Sequence, residues 1–151
     1  MLHHARYIEL AERGYLDWMK RRNLSFRKVG VDYNVTLVVY DIAARYRAAV
    51  QFEDEVQIVT RLQAIDRKGL DWKTLIMKDD EVSFSMLTKM ACIDNATRTI
   101  ISVPNFLVSV LASEVESGEE ALQPVGLSQQ VPNQPAAQLL QLNTLIPSDK
   151  S

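Results

Sequence analysis

The chain has 151 residues, with 17 Lys and Arg against 19 Asp and Glu for a net charge of −2. That length suits one domain with a single core, and the near-neutral balance recommends neither nucleic acid nor an anionic membrane as partner. A lone cysteine, Cys92, excludes an intrachain disulfide and points to a reducing compartment. No apolar run reaches the ~20 residues of a bilayer span, and no signal-peptide layout opens the chain. The expectation is therefore a cytoplasmic protein without membrane insertion.

Residues 4 to 22 have helical period: Tyr7, Ile8, Ala11, Tyr15, Leu16, Trp18 and Met19 fall on one broad face, and Arg6, Glu9, Arg13, Asp17 and Lys20 fall opposite. Gly14, inside that helix, costs about 1 kcal/mol relative to Ala, which makes sense if another backbone packs close, as when a helix lies on a sheet. From residue 33 the period becomes two, predicting strands at about 33 to 48, 54 to 66, 70 to 78 and 81 to 94. Short turn-like segments, Asp66-Arg67-Lys68-Gly69 and Asp79-Asp80-Glu81, separate the last three strands and make them an antiparallel meander. On the fourth strand Val82, Phe84, Met86, Thr88, Met90 and Cys92 form the row expected to face a core, while Ser83, Ser85, Leu87, Lys89, Ala91 and Ile93 form a row apolar enough to meet another layer or subunit. One long helix and one long-stranded sheet make an α+β domain. Pro104 precedes Phe106-Leu107-Val108, where a short closing helix can start.

The last 35 residues hold four of the five prolines, six glutamines and no aromatic residue. Such a segment buries too little to offset its ordering entropy. The predicted organisation is a folded domain over residues 1–116 and a Gln/Pro-rich disordered tail over residues 117–151, whose apolar patch from Ala136 to Ile146 can dock as a short helix on a partner or on the domain.

The candidate chemistry gathers at the start of the first helix. Glu12 lies among Ile8, Tyr15, Leu16 and Met19 on the apolar face, and a carboxylate there is paired or has its pKa raised. His4 is two turns earlier and points the same way; Tyr7 sits at the edge of the face, one turn in. The partial positive charge of a helix N-terminus completes a setting for acid/base work on a polarised carbonyl. The competing structural reading ties Glu12 to a backbone N–H or to an arginine such as Arg45 and leaves His4 as a helix cap. His3 and His4 diverge by about 100° on a helix and lack a third spaced ligand, so no metal is expected. Cys92 is mid-strand on the apolar row and reads as an inert thiol. No Walker-type loop, dinucleotide fingerprint or Gly-x-Ser-x-Gly elbow is present, and no cofactor is expected. Arg21-Arg22 with Arg27-Lys28 reads as a solvated basic rim; if the ligand is a nucleotide-bearing thioester, this cluster or Arg67-Lys68 can meet its phosphates.

His4-Ala5-Arg6-Tyr7-Ile8 with Glu12, together with Ala44-Arg45-Tyr46-Arg47-Ala48-Ala49-Val50-Gln51-Phe52-Glu53-Asp54-Glu55-Val56, resembles the hotdog-fold thioesterases of the 4-hydroxybenzoyl-CoA thioesterase and acyl-ACP thioesterase type. Ala48 stands where proline is usual in that pattern, and Glu53 where glycine is usual. The resemblance spans roughly residues 1 to 110. It implies a long helix wrapped by a curved antiparallel sheet, homodimers or homotetramers, and a site at the dimer interface in which the N–H at His4 polarises a thioester carbonyl. His3, His4, Tyr7 and Glu12 are the catalytic candidates, and the resemblance implies that His4 and Tyr7 orient the acyl group or water and that Glu12 is general base or support. Relatives carry an N-terminal strand and an Asp shortly before the histidine. Neither is present here, so the expectation is a truncated start with that strand missing and a sheet edge exposed.

The expected activity is hydrolysis of an acyl-CoA or acyl-ACP thioester to free acid and thiol. The alternative is a catalytically inactive hotdog protein that binds an acyl ligand or serves as an assembly subunit, and a third reading is an unrelated cystatin-like helix-on-sheet binding domain.

Overall fold

The computed structural model describes residues 4–115, 120–121 and 125–126, with side chains between residues 5 and 115. Helix α1 spans His4–Arg21 and ends as its sequence directs. Asn23 takes a left-handed φ of 59°, the Leu24 N–H reaches the Met19 carbonyl at 2.9 Å, and the Asn23 N–H reaches that of Lys20 at 3.0 Å. This is a Schellman closure with Asn in the place glycine usually takes. A second helix, α2 (Phe26–Tyr33), follows at once, capped by the Ser25 hydroxyl accepting from the Lys28 N–H at 3.2 Å. The elements predicted from sequence do not include this helix.

Four long strands come next: β1 (Val35–Tyr46), β2 (Glu55–Asp66), β3 (Gly69–Lys78) and β4 (Glu81–Asp94). They match the predicted strands to within two residues at each end. The β2–β3 turn is held by Asp66 Oδ1, which accepts from the N–H groups of Lys68 and Gly69. The β3–β4 turn places both Asp79 and Asp80 at positive φ, the type I′ geometry that two-residue hairpins require. A short β5 (Ile100–Ile101) and α3 (Asn105–Ala112), with Pro104 at its N-cap, complete the domain.

The antiparallel sheet runs β1-β4-β3-β2, and two pieces beyond residue 116, β6 (Glu120–Ala121) and β7 (Val125–Gly126), pair with β2 on its outer side. The sheet edge expected to stand exposed is thus partly closed by the chain itself. These pieces also lie inside the segment read as a disordered tail; the patch from Ala136 to Ile146 falls outside the described residues. No helix among the described residues is long and apolar enough to cross a membrane.

One face of the sheet carries α1. Val56, Ile58, Thr60 and Leu62 of β2, Leu70, Trp72, Thr74 and Ile76 of β3, and Phe84, Met86, Thr88, Met90 and Cys92 of β4 are all buried. Val82 departs from the predicted row: Ile76 pairs with Phe84 but Met77 with Val82, so the intervening Ser83 is an extra residue and the side chains beyond it change face. The freed Ser83 carbonyl accepts from the N–H groups of Arg47 and Ala48, anchoring the start of the β1–β2 connection. Trp18 meets Trp72 edge-on with ring centroids 5.0 Å apart, and the Arg22 guanidinium lies 3.5 Å over the Trp18 ring.

Gly14 faces β2, where a Cβ would drive into Thr60 Oγ1 and stand 3.2 Å from Ile58 Cγ2. The close neighbour is a pair of side chains and not the backbone expected from sequence, but the consequence is the same: only glycine lets α1 sit this low. Gly14→Ala is expected to lose about 2 kcal/mol in urea unfolding by overpacking. The double variant Gly14→Ala/Thr60→Ala is expected to be more stable than the sum of its single changes, because the colliding hydroxyl is gone; strict additivity would disprove the contact.

Candidate functional site

The first turns of α1 are locked to the β1–β2 connection. Tyr7 is buried, its hydroxyl accepts from the Val50 N–H at 3.0 Å, and its ring packs between Tyr46, edge-on at 5.2 Å, and Phe84, stacked at 5.3 Å. Tyr7, read from sequence as a chemical candidate, therefore positions the helix start and the loop beside it. His4 opens α1 one turn earlier. His3 lies outside the described residues, as does the side chain of His4. The N–H groups of the first helical turn lack intrahelical partners by construction and carry the positive end of the helix dipole.

Glu12 is where sequence periodicity put it, on the apolar side and only 7% exposed. Two residues from Gly14, it is turned about 200° around the helix, so it occupies the flank that looks away from β2. Its partner is neither a backbone N–H nor Arg45, which is exposed on β1. Tyr15 donates to Oε2 at 3.0 Å. Burial pushes the Glu12 carboxyl from 4.5 up to about 7, the Tyr15 hydrogen bond pulls it partway down, and the Glu9 carboxylate pushes it up. Glu9 in turn is held by Arg6 at 3.0 Å. Burial is also the chief reason that the Tyr15 phenol is raised well above 10, with the Glu12 charge adding to it. At neutral pH the tyrosine is a donor and the glutamate is poised between its two forms. Sequence reasoning placed Tyr15 only in the core; its i+3 spacing from Glu12 was the available signal.

The remaining candidates separate from this centre. Cys92 is buried, and burial raises its thiol from 9.0 to about 11, consistent with inert packing. In the basic rim, Arg21 pairs with Asp17, Arg22 with Glu114 and Lys28 with Asp32. That rim follows the last turn of α1, roughly 27 Å along the helix from His4 at 1.5 Å per residue. Within one chain it does not reach the helix N-terminus.

The chain, with its long helix seated on an antiparallel sheet, matches a known family. The chain belongs to the thioesterase-like superfamily, whose family model matches residues 1–111, and it has the hotdog fold of that group. Solved structures agree. A thioesterase superfamily protein from Jannaschia sp. CCS1 is 10% identical, with a TM-score of 0.70, covering 76% of this chain and 81% of its own. The probable thioesterase YbaW of Escherichia coli is 24% identical, with a TM-score of 0.66 and coverages of 76% and 86%. A hypothetical protein from Staphylococcus aureus in complex with CoA is 17% identical, with a TM-score of 0.66 and coverages of 75% and 72%. No curated protein matches the sequence.

The Glu12 environment has a measurable signature. A carboxyl that ionises near 4.5 unfolded and near 7 folded binds its proton more tightly in the fold. Its contribution to stability is then fully present below 4.5, falls between 4.5 and 7, and is level above. The fall amounts to about 3 kcal/mol. Glu12→Gln, which cannot ionise, is expected to lose that slope and to be more stable than the parent above pH 7, as read by chemical unfolding from pH 4 to 8. Equal slopes in the two proteins would remove Glu12 from the buried, poised state.

Proposed function

We propose that the protein hydrolyses acyl thioesters, with acyl-CoA or an acyl-carrier protein as the thiol carrier and Glu12 as the general base. The observation that carries this reading is the buried Glu12 carboxyl, raised to about 7, on the helix whose N-terminus the superfamily match covers. A base that works at neutral pH needs an ionisation near that pH.

In the step so proposed, Glu12 takes a proton from water as the water oxygen bonds to the thioester carbonyl carbon. Negative charge gathering on the carbonyl oxygen is met by the positive end of the α1 dipole and the N–H of His4. The C–S bond then breaks, the thiolate leaves and recovers the proton from Glu12, and the products are a carboxylic acid and a free thiol. Tyr7 keeps the helix start against the β1–β2 connection while this happens. No metal and no cofactor enters the reaction.

Eight residues separate His4 from Glu12, about 12 Å along one helix, whereas both groups must come within about 3 to 3.5 Å of one reacting centre. A second copy supplies what one copy lacks. The outer edge of β1 carries no strand among the described residues, and it displays Tyr40 at 63% exposure and Tyr46 at 48%. An unpaired edge of that length invites pairing. A homodimer joined along β1 brings the Glu12 flank of one protomer toward its partner, and homotetramers follow if the opposite sheet face, with Leu75 and Leu87, is also covered. Domain 1–116 is the working unit in this reading, in a cytoplasmic protein.

Incubation with acyl-CoA esters of graded chain length and a thiol-reactive dye is expected to release one thiol per ester; buried Cys92 contributes little background in folded protein. Glu12→Gln is expected to lower kcat by about 10² to 10⁴ with the far-UV spectrum retained. Absence of release for every ester, from CoA and carrier protein alike, would overturn hydrolysis and leave acyl binding, testable by CoA titration. Sedimentation is expected to give at least twice the 17.1 kDa of one chain; a monomer would refute the shared site.

A further inference from the structure

We propose that Tyr15 is the positioning residue for Glu12, its hydroxyl holding Oε2 so that Oε1 is the oxygen that exchanges the proton. This rests on the hydrolytic reading above and extends it to a residue that does not itself touch the substrate.

Three observations support the assignment. First, the Tyr15 hydroxyl donates to Oε2 at 3.0 Å with both residues buried, and among the described residues no other partner of the Glu12 carboxylate is found. Oε1 is therefore the oxygen left for a reacting water. Second, the tyrosine is placed by packing and not by the glutamate. Its ring stacks on Phe26 at 6.0 Å and 15° and leans on Trp72 at 5.8 Å and 32°, so the hydroxyl is aimed before any carboxylate arrives. Prior placement of that kind lowers the cost of holding a reacting group. Third, phenylalanine would pack between Phe26 and Trp72 equally well, so the packing does not account for the hydroxyl.

The surroundings leave Tyr15 little competition. The rows of β2, β3 and β4 that face α1 contain no charged side chain, and Cys92 is their only titratable group. On α2 the charged side chains are Arg27, Lys28 and Asp32, of which Lys28 and Asp32 pair with each other. On α1 itself Glu9 acts on Glu12 through its charge and is held by Arg6. Of these groups, Tyr15 alone donates a hydrogen bond to the carboxylate.

Tyr15→Phe removes the donor and keeps the ring. A hydrogen bond to the charged form favours that form, so its loss is expected to move the acid limb of the kcat profile upward by about one pH unit. On the alkaline plateau, where Glu12 is fully ionised, kcat is expected to fall about tenfold with KM within twofold, because the carboxylate is free to rotate. Replacing Tyr15 by 3-fluorotyrosine, a stronger donor on the same ring, is expected to move the limb downward. A ¹³C titration of the Glu12 carboxyl in each protein reads the same displacements without any turnover. If the parent protein hydrolyses nothing while the ¹³C titration moves as described, the hydrolytic reading fails and the hold of Tyr15 on Glu12 stands. If neither the limb nor the ¹³C titration moves in either variant, Tyr15 is ordinary core and the proposal is overturned.

Discussion

The close seating of α1 on β2 at Gly14 is the constraint on which the rest of the molecule depends. Without a side chain at that position the helix settles against Thr60 and Ile58, and its neighbours Tyr15 and Trp18 are driven onto Trp72. Once that contact sets the rotation of the helix, every other residue of α1 has its direction assigned. Leu10 and Ala11 go into the core, Glu9 and Arg6 go to the rim, and Glu12 is left on the flank away from β2. A helix rotated by a third of a turn would put the carboxylate either in solvent or under β2. In neither place would it keep the burial and the Tyr15 hydrogen bond that set its pKa.

The seating has an energetic cost, carried by Glu12. A carboxyl at 7% exposure is disfavoured as an anion, and the single tyrosine hydrogen bond offsets only part of that penalty, so the group ionises near neutrality. The absence of charge from the sheet rows beneath α1 keeps the balance between burial and hydrogen bonding undisturbed. The aromatic packing of Tyr7 with Tyr46 and Phe84 does the complementary work at the helix start, where the Val50 N–H holds the loop against the first turns.

Much of this was legible before any coordinates. The period-two rows of the strands and the helical face of α1 emerge because burial repeats at the pitch of each element, and Glu12 stood out as a charge in an apolar stripe. Other parts were not. Helix α2 is eight residues long with a glycine and several β-branched or aromatic residues, so local propensity speaks against it and only its Ser25 cap and its packing on β1 make it form. The change of face at Val82 comes from a single inserted residue, which alternation alone cannot register. The pairing of Glu120–Ala121 and Val125–Gly126 with β2 is a long-range event driven by an open row of backbone groups, and composition read that region as tail.

By itself the sequence determined the types of the long elements, the mixed helix-and-sheet class, the identity of the buried carboxylate and the family likeness, because each of these is written in local pattern and spacing. Tertiary structure alone decided that Tyr15, and not an arginine or a backbone N–H, is the partner of Glu12, that Tyr7 serves the β1–β2 connection, and that the basic rim sits a helix length from His4. Those outcomes depend on how α1 rotates and lies across the sheet. That rotation is the sum of many side-chain contacts between residues far apart in the chain, and no short window of sequence contains it.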